Sequence, residues 1–307
     1  MIKTIRADGK TEREAFASLA GRGGDGGAHD DVVETVRGIL AGVRARGDAA
    51  VREYSLQFDQ AAPPVAALTR DDMKQCYERT DKALVDALCH AAENIRAYHK
   101  GQVQQGYEYR DGRGCVLGQT VRGLEKVGLY VPGGRAAYPS TVLMNAIPAK
   151  LAGVGQLVMA TPPGATDAII AAAFIAGVDS IVQIGGAQAV AALAYGTETI
   201  PKVDKIVGPG NVYVATAKRL VFGMVDIDMI AGPSEILVLA DAQADPVFIA
   251  ADLLSQAEHD PMSASVLLTT SESVAKRTAE ETERQLVSLE RQDIARESIE
   301  ANGLIVL

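Results

Sequence analysis

The chain has 307 residues, 48% of them hydrophobic, and a formal net charge of −9. It is therefore long enough to bury two domain cores of ordinary size and too apolar for global disorder. The acidic balance excludes nucleic acid or an anionic membrane as the main partner, because those polyanions need a basic patch.

No apolar run reaches the roughly 18 residues that span a bilayer, and the opening MIKTIRADGKTEREAF lacks the apolar centre of a secretory signal. The expectation is a soluble cytoplasmic protein. Cys76, Cys89 and Cys115 are widely spaced and odd in number, which predicts reduced thiols, with Cys89 packed inside an apolar helix.

Residues 1–29 read as an N-terminal arm and linker. GRGGDGG at 21–27 formally contains G-x-G-x-x-G at Gly21, Gly23 and Gly26, but it follows a helical stretch rather than a strand and reads as a flexible connector. From Asp30 to about Gln102 the pattern is helical: Val32, Val33, Val36, Ile39, Leu40 and Val43 recur at three- and four-residue spacing. A second strong helix is expected from about Asp81 to Tyr98.

From about Gly123 the texture changes to short Val/Ile/Leu-rich runs closed by Gly or Pro, each followed by an Ala-rich helical stretch. That alternation predicts parallel sheet with crossover helices. The predicted strands are VGLYV at 127, QLVMA at 156, SIVQI at 180, DKIVG at 204, EILVLA at 235, SVLLT at 265 and LIVL at 304. FGMVDIDMIAGPS at 222–234 reads as a turn-rich crossing between two sheets. The fold class expected is α/β: two incomplete Rossmann-like domains with parallel-rich sheets and an N-terminal helical segment. The boundaries expected put 30–129 with 235–307 in a first, discontinuous domain and 130–234 in a second. A long helix from about Ser271 to Leu286 precedes LIVL, a buried-type strand after the Asn302-Gly303 turn. A natural domain rarely stops inside its core, so a fragment of a longer protein is expected.

Four Gly-rich turns are read as following strands: VPGGR at 131–135, IGGAQA at 184–189, VGPGN at 207–211 and AGPSE at 231–235. Ligands of open parallel sheets bind outside the carboxyl ends of strands, where glycine admits a close backbone approach. Such turns also simply reverse the chain. Gln188, Asn211 and Ser234 stand where they can read a ribose, an amide or an amine, although Asn and Ser are also common helix caps. Tyr130, beside the first turn, suits either a site or a core aromatic with its hydroxyl at the rim. In LLSQAEHDP at 253–261, Gln256 and His259 lie three apart and share one helix face, a partial zinc donor pair or an ordinary solvated helix end.

LEKVGLYVPGGRAAYPSTVLMNAIPAKLAGV, IGGAQAVAALAYGTETIPKVDKIVGPGNVYV, IDMIAGPSEILVLAD and ADLLSQAEHDP resemble the consecutive signatures of histidinol dehydrogenases, from near Asp30 to the last residue. The resemblance implies NAD-dependent oxidation of L-histidinol through L-histidinal to L-histidine, with NAD and zinc as cofactors and a homodimer as the assembly. It implies that Tyr130, Gln188 and Asn211 touch NAD, that Ser234 holds substrate, and that Gln256 and His259 bind both zinc and substrate. The family's general bases lie in a Pro-Glu-His-Leu type motif, and its zinc shell is completed by an Asp and a later His. None of these is found among the 307 residues, so little or no activity is expected of this chain by itself.

A different class, a non-catalytic NAD-binding or scaffold protein, would keep the Gly-rich turns without redox chemistry. An aldehyde dehydrogenase would need an activated thiol in a cleft, and nothing around Cys115 resembles one.

Overall fold

The computed structural model describes residues 1–21, 30–61, 67–133, 138–230 and 232–307. In chain order the elements are β1 (Lys3–Ile5), α1 (Thr11–Ala20), α2 (Asp30–Arg46), α3 (Asp48–Phe58), α4 (Arg70–Arg79) and α5 (Lys82–Lys100), then β2 (Tyr107–Arg110) and β3 (Val116–Gln119). The alternating part follows as β4 (Lys126–Tyr130), α6 (Pro139–Leu151), β5 (Gln156–Thr161), α7 (Asp167–Ala176), β6 (Ser180–Gln183), α8 (Gly186–Tyr195), β7 (Lys205–Val207), α9 (Val212–Val221) and β8 (Asp226–Ile227). The last elements are β9 (Glu235–Ala240), α10 (Pro246–Ala257), β10 (Ala264–Thr269), α11 (Glu272–Leu286), α12 (Gln292–Asn302) and β11 (Gly303–Val306). All seven predicted strands are present. The chain divides into two compact units, Ala28–Ile230 and Met1–Gly27 with Ala231–Leu307.

The unit Ala28–Ile230 is built on a five-stranded, all-parallel sheet in the order β6-β5-β4-β7-β8. The chain starts in the middle at β4, winds outward to β6, and returns to the other side at β7. That reversal makes the β4–β7 border the switch point of a doubly wound sheet. Side-chain alternation along β5 shows why both faces are covered. Leu157 and Met159 enter one apolar cluster with α6 and α7, while Val158 and Ala160 enter the other with α2 and α8. All four are fully buried.

Placing 30–129 with 235–307 differs from what is observed: residues 30–129 lie in one unit with the five-stranded sheet. The cause is the stripe of the first helix. Val32, Val36, Ile39, Leu40 and Val43 are all buried, and α2 spends that face on α8 and α9, while α5 lies on α6 and α7. The antiparallel β2–β3 hairpin was not anticipated from the sequence, and all of its strand residues are exposed.

The other unit holds a four-stranded parallel sheet in the order β1-β11-β10-β9. Here too the sequence reading needs correction, because part of the expected N-terminal arm is a strand: Lys3 pairs with Leu304 and Ile5 with Val306. β11 is thus an interior strand, buried on both faces as its LIVL composition predicts. One face packs Leu267 and Ile305 against Leu253, Leu254 and Val274 of α10 and α11. The opposite face packs Val266, Leu304 and Val306 against Ala15 and Leu19 of α1.

Candidate functional site

Three of the sequence-predicted residues, Tyr130, Gln188 and Asn211, line one cavity of about 430 Å³. It lies at the carboxyl ends of β4, β6 and β7, spanning the switch point. Its walls include Pro132, Pro162 and Tyr213, and also Phe58 and Asp59 at the end of α3, which the sequence reading missed.

The polar wiring of the cavity is built around the amino end of α8. That helix opens on Gly185, which has no side chain to cap it, so its free N–H groups are satisfied from elsewhere. The Gly186 N–H donates to the Tyr130 hydroxyl at 3.0 Å. The Gly185 N–H donates to the Asp59 carboxylate at 3.2 Å, and the Gln188 side-chain amide donates to the same oxygen at 3.3 Å. Tyr130 is 3% exposed, a core aromatic whose hydroxyl reaches the site, and burial pushes its phenol up to about 12. Burial also pushes the Asp59 carboxyl upward, with the hydrogen bonds from Gly185 and Gln188 only partly opposing it.

Asn211 is a helix cap as well as a cavity residue: its Oδ1 accepts from the N–H groups of Tyr213 and Val214, at 3.1 Å each. The turn before it is fixed by a charge pair that sequence alone did not flag. Lys218 of α9, 4% exposed, donates from Nζ to the Gly208 carbonyl at 2.9 Å and to the Asp228 carboxylate. The other Asp228 oxygen accepts from the Gly208 N–H at 2.8 Å. Gly208 sits at φ +112°, and a Cβ there would lie 2.1 Å from the Tyr130 carbonyl oxygen, so only glycine lets this turn pass the end of β4.

The remaining predicted residues belong to the other unit. AGPSE does not follow a strand of its sheet: Ser234, exposed, directly precedes β9, and its carbonyl accepts from the Ala264 N–H at 2.9 Å. Ser234 therefore stands at the amino end of that sheet, beside the turn that carries the α10 motif into β10. Gln256 is in the last turn of α10 and half-buried, and His259 lies just past the helix end and is exposed. The turn is held together by the His259 N–H bonding the Gln256 carbonyl at 3.2 Å. It is pinned further by Arg291, Ser298 and Asn302, which donate to the carbonyls of His259, Ser263 and Pro261.

As a metal site this turn is incomplete. Among the described residues no group of three or more His, Cys, Asp or Glu side chains is arranged to hold an ion. Gln256 and His259 supply two donors where a zinc site takes at least three from protein. His90 and His99 lie on α5 and bond the neighbouring Asn94 and Gln102, as surface residues do. His29, Gly23 and Gly26 lie outside the described residues. All three cysteines are free, but the buried one is Cys76 rather than Cys89, which is half-buried. No helix among the described residues is long and apolar enough to cross a membrane.

A doubly wound parallel sheet with a cavity at its switch point defines a Rossmann-like α/β protein. Comparison with known proteins narrows this. A family model described as histidinol dehydrogenase matches residues 25–307. The histidinol dehydrogenase of Clostridium acetobutylicum is 50% identical over 311 residues, covering 100% of this chain and 72% of the relative. That of Streptococcus mutans is 53% identical over 279 residues, covering 90% and 65%. The crystal structure of histidinol dehydrogenase from Elizabethkingia anophelis superposes with a TM-score of 0.90 at 37% identity, covering 100% of this chain and 71% of that one. The chain belongs to the histidinol dehydrogenase family, a family of oxidoreductases of histidine biosynthesis, and spans about two-thirds to three-quarters of the length of these relatives.

Proposed function

We propose that the cavity at the switch point is an NAD site in which Tyr130, Gln188 and Asn211 contact the dinucleotide. The observation that carries this reading is convergence: residues far apart in sequence, from three different strand ends, line one cavity. Its volume falls in the range of small-molecule sites, roughly 300–1,000 Å³. Gly133 and Gly186 line it without side chains of their own, and the carboxamides of Gln188 and Asn211 suit the hydroxyls and amides of a nucleotide.

The substrate of the NAD-linked reaction is L-histidinol, oxidised through L-histidinal to L-histidine. Ser234, Gln256 and His259 contact it, and Gln256 with His259 contributes to zinc. Two donors alone predict weak zinc affinity. The working assembly is a cytoplasmic homodimer. The exposed Tyr107, Tyr109 and Leu117 of the β2–β3 hairpin support self-association, because a lone two-stranded hairpin is marginal in water.

The assay is NAD reduction with L-histidinol and added zinc, run beside the Clostridium acetobutylicum relative. Proton removal requires a positioned base, and loss of one costs on the order of a hundredfold to ten-thousandfold. Because the 307 residues carry no Pro-Glu-His-Leu type motif, NAD binding with turnover depressed by such a factor is expected. Turnover equal to the relative's refutes the assignment of the bases, and absence of NAD binding refutes the site.

A further inference from the structure

Asp59 occupies a position that its own helix does not favour. It caps the carboxyl end of α3, where the helix presents carbonyl oxygens and a carboxylate is repelled. The residue after it, Gln60, is the only non-glycine at positive φ among the described residues, at +55°, a left-handed conformation that L-residues adopt at a cost. From that position the carboxylate reaches the amino end of α8, where negative charge is favoured.

There it accepts from the Gly185 N–H and the Gln188 amide. Gly185 is matched to it, since a Cβ at that position would lie 2.6 Å from Asp59 Oδ1. A helix amino end reached through a glycine turn, with free N–H groups and the positive end of the helix dipole, is a ready place for a phosphate or another anion. Here the protein fills it with its own anion. An ionised carboxylate offers about four acceptor positions; two contacts are internal, and Asp59 also lines the cavity with Tyr130, Gln188 and Asn211.

We propose that Asp59 is a specificity-determining residue of this cavity: its carboxylate holds the anion position at the α8 amino end, so the ligand presents hydrogen-bond donors, a ribose hydroxyl or a carboxamide, to Asp59 and Gln188, and phosphate is turned away from that turn. The identity of the ligand rests on the NAD reading above; the exclusion of phosphate does not.

The test is calorimetric titration of the 307-residue chain and its Asp59→Asn variant with NAD and, separately, with inorganic pyrophosphate at fixed ionic strength. Loss of a charged acceptor weakens the NAD complex by about three- to tenfold, whereas loss of a like charge tightens pyrophosphate by about tenfold or more. The signs are opposite, which a merely structural role does not produce: a damaged turn loses both ligands. Changes in the same direction, or none beyond about twofold, overturn the proposal. Asp59→Ala is the second variant, with the same signs expected, and circular dichroism establishes that each is folded. If the unaltered chain binds no NAD, the functional reading fails and the pyrophosphate arm alone decides the role of Asp59: a gain supports it, no gain overturns it.

Discussion

Lys218→Met isolates the device that holds the second glycine turn of the cavity. In the folded chain Lys218 Nζ satisfies the buried Gly208 carbonyl at 2.9 Å and neutralises Asp228, which in turn holds the Gly208 N–H. Methionine keeps most of the side-chain volume and removes both interactions. An orphaned buried carbonyl costs about 1–3 kcal/mol, and breaking a fully buried ion pair costs about 3–5 kcal/mol. The Asp228 side chain is 28% exposed, so water recovers part of the second cost, and the two overlap at one turn. A destabilisation of about 2–4 kcal/mol is expected, equivalent to a fall in melting temperature of about 5–12 °C for a unit of this size. Urea and thermal unfolding followed by far-ultraviolet circular dichroism measure it. NAD affinity should fall in parallel, since the same turn positions Asn211. A variant within about 0.5 kcal/mol of the parent, the usual range of an ordinary surface change, refutes the clamp.

Separating the two roles of Asn211 takes two variants. Asn211→Ala loses the cap of α9 and about 1 kcal/mol of stability, whereas Asn211→Asp caps equally well and leaves unfolding unchanged. Both lose the amide donor, so NAD affinity in calorimetry falls on the order of tenfold in each; NAD binding that tracks stability instead refutes direct contact. Tyr130 makes a pH prediction. Its folded value, about 12 against an ordinary 10.0, is raised, so its contribution to stability is complete below pH 10 and is lost as pH rises through about 12. Ultraviolet titration of the nine tyrosines should show a late-ionising phase that Tyr130→Phe removes; an unchanged curve contradicts its burial. In the four-stranded sheet, Leu267→Ala empties a fully buried position and should cost about 3 kcal/mol in urea unfolding; a cost below about 1 kcal/mol contradicts the packing of β10 against α10.

The strands were legible because a parallel sheet covered on both faces writes continuous Val/Ile/Leu runs, and the helices because α2 and α5 carry their apolar stripes at helical spacing. What could not be read was partnership. The periodicity of Val32 to Val43 says that one face is buried but not that α8 and α9 cover it. β1 is too short to announce itself and became a strand only because β11 offered it an open edge. At the candidate site, residues next to glycine turns were found by position: Tyr130, Gln188 and Asn211. Asp59 and Lys218 were not, because each acts on a turn distant in sequence. Asp59 carried one faint signal, an acid at the wrong end of a helix. Ser234 shows the limit of the strand-end rule, since its turn opens a strand instead of closing one.

The most direct measurement is calorimetric titration of the 307-residue chain with NAD, repeated on Gln188→Ala and on His90→Ala as a surface control. A single site is expected, weakened about tenfold or more by Gln188→Ala and untouched by His90→Ala. No binding by the parent chain, or equal binding by Gln188→Ala, contradicts the claim that the cavity at the switch point is where the dinucleotide is held.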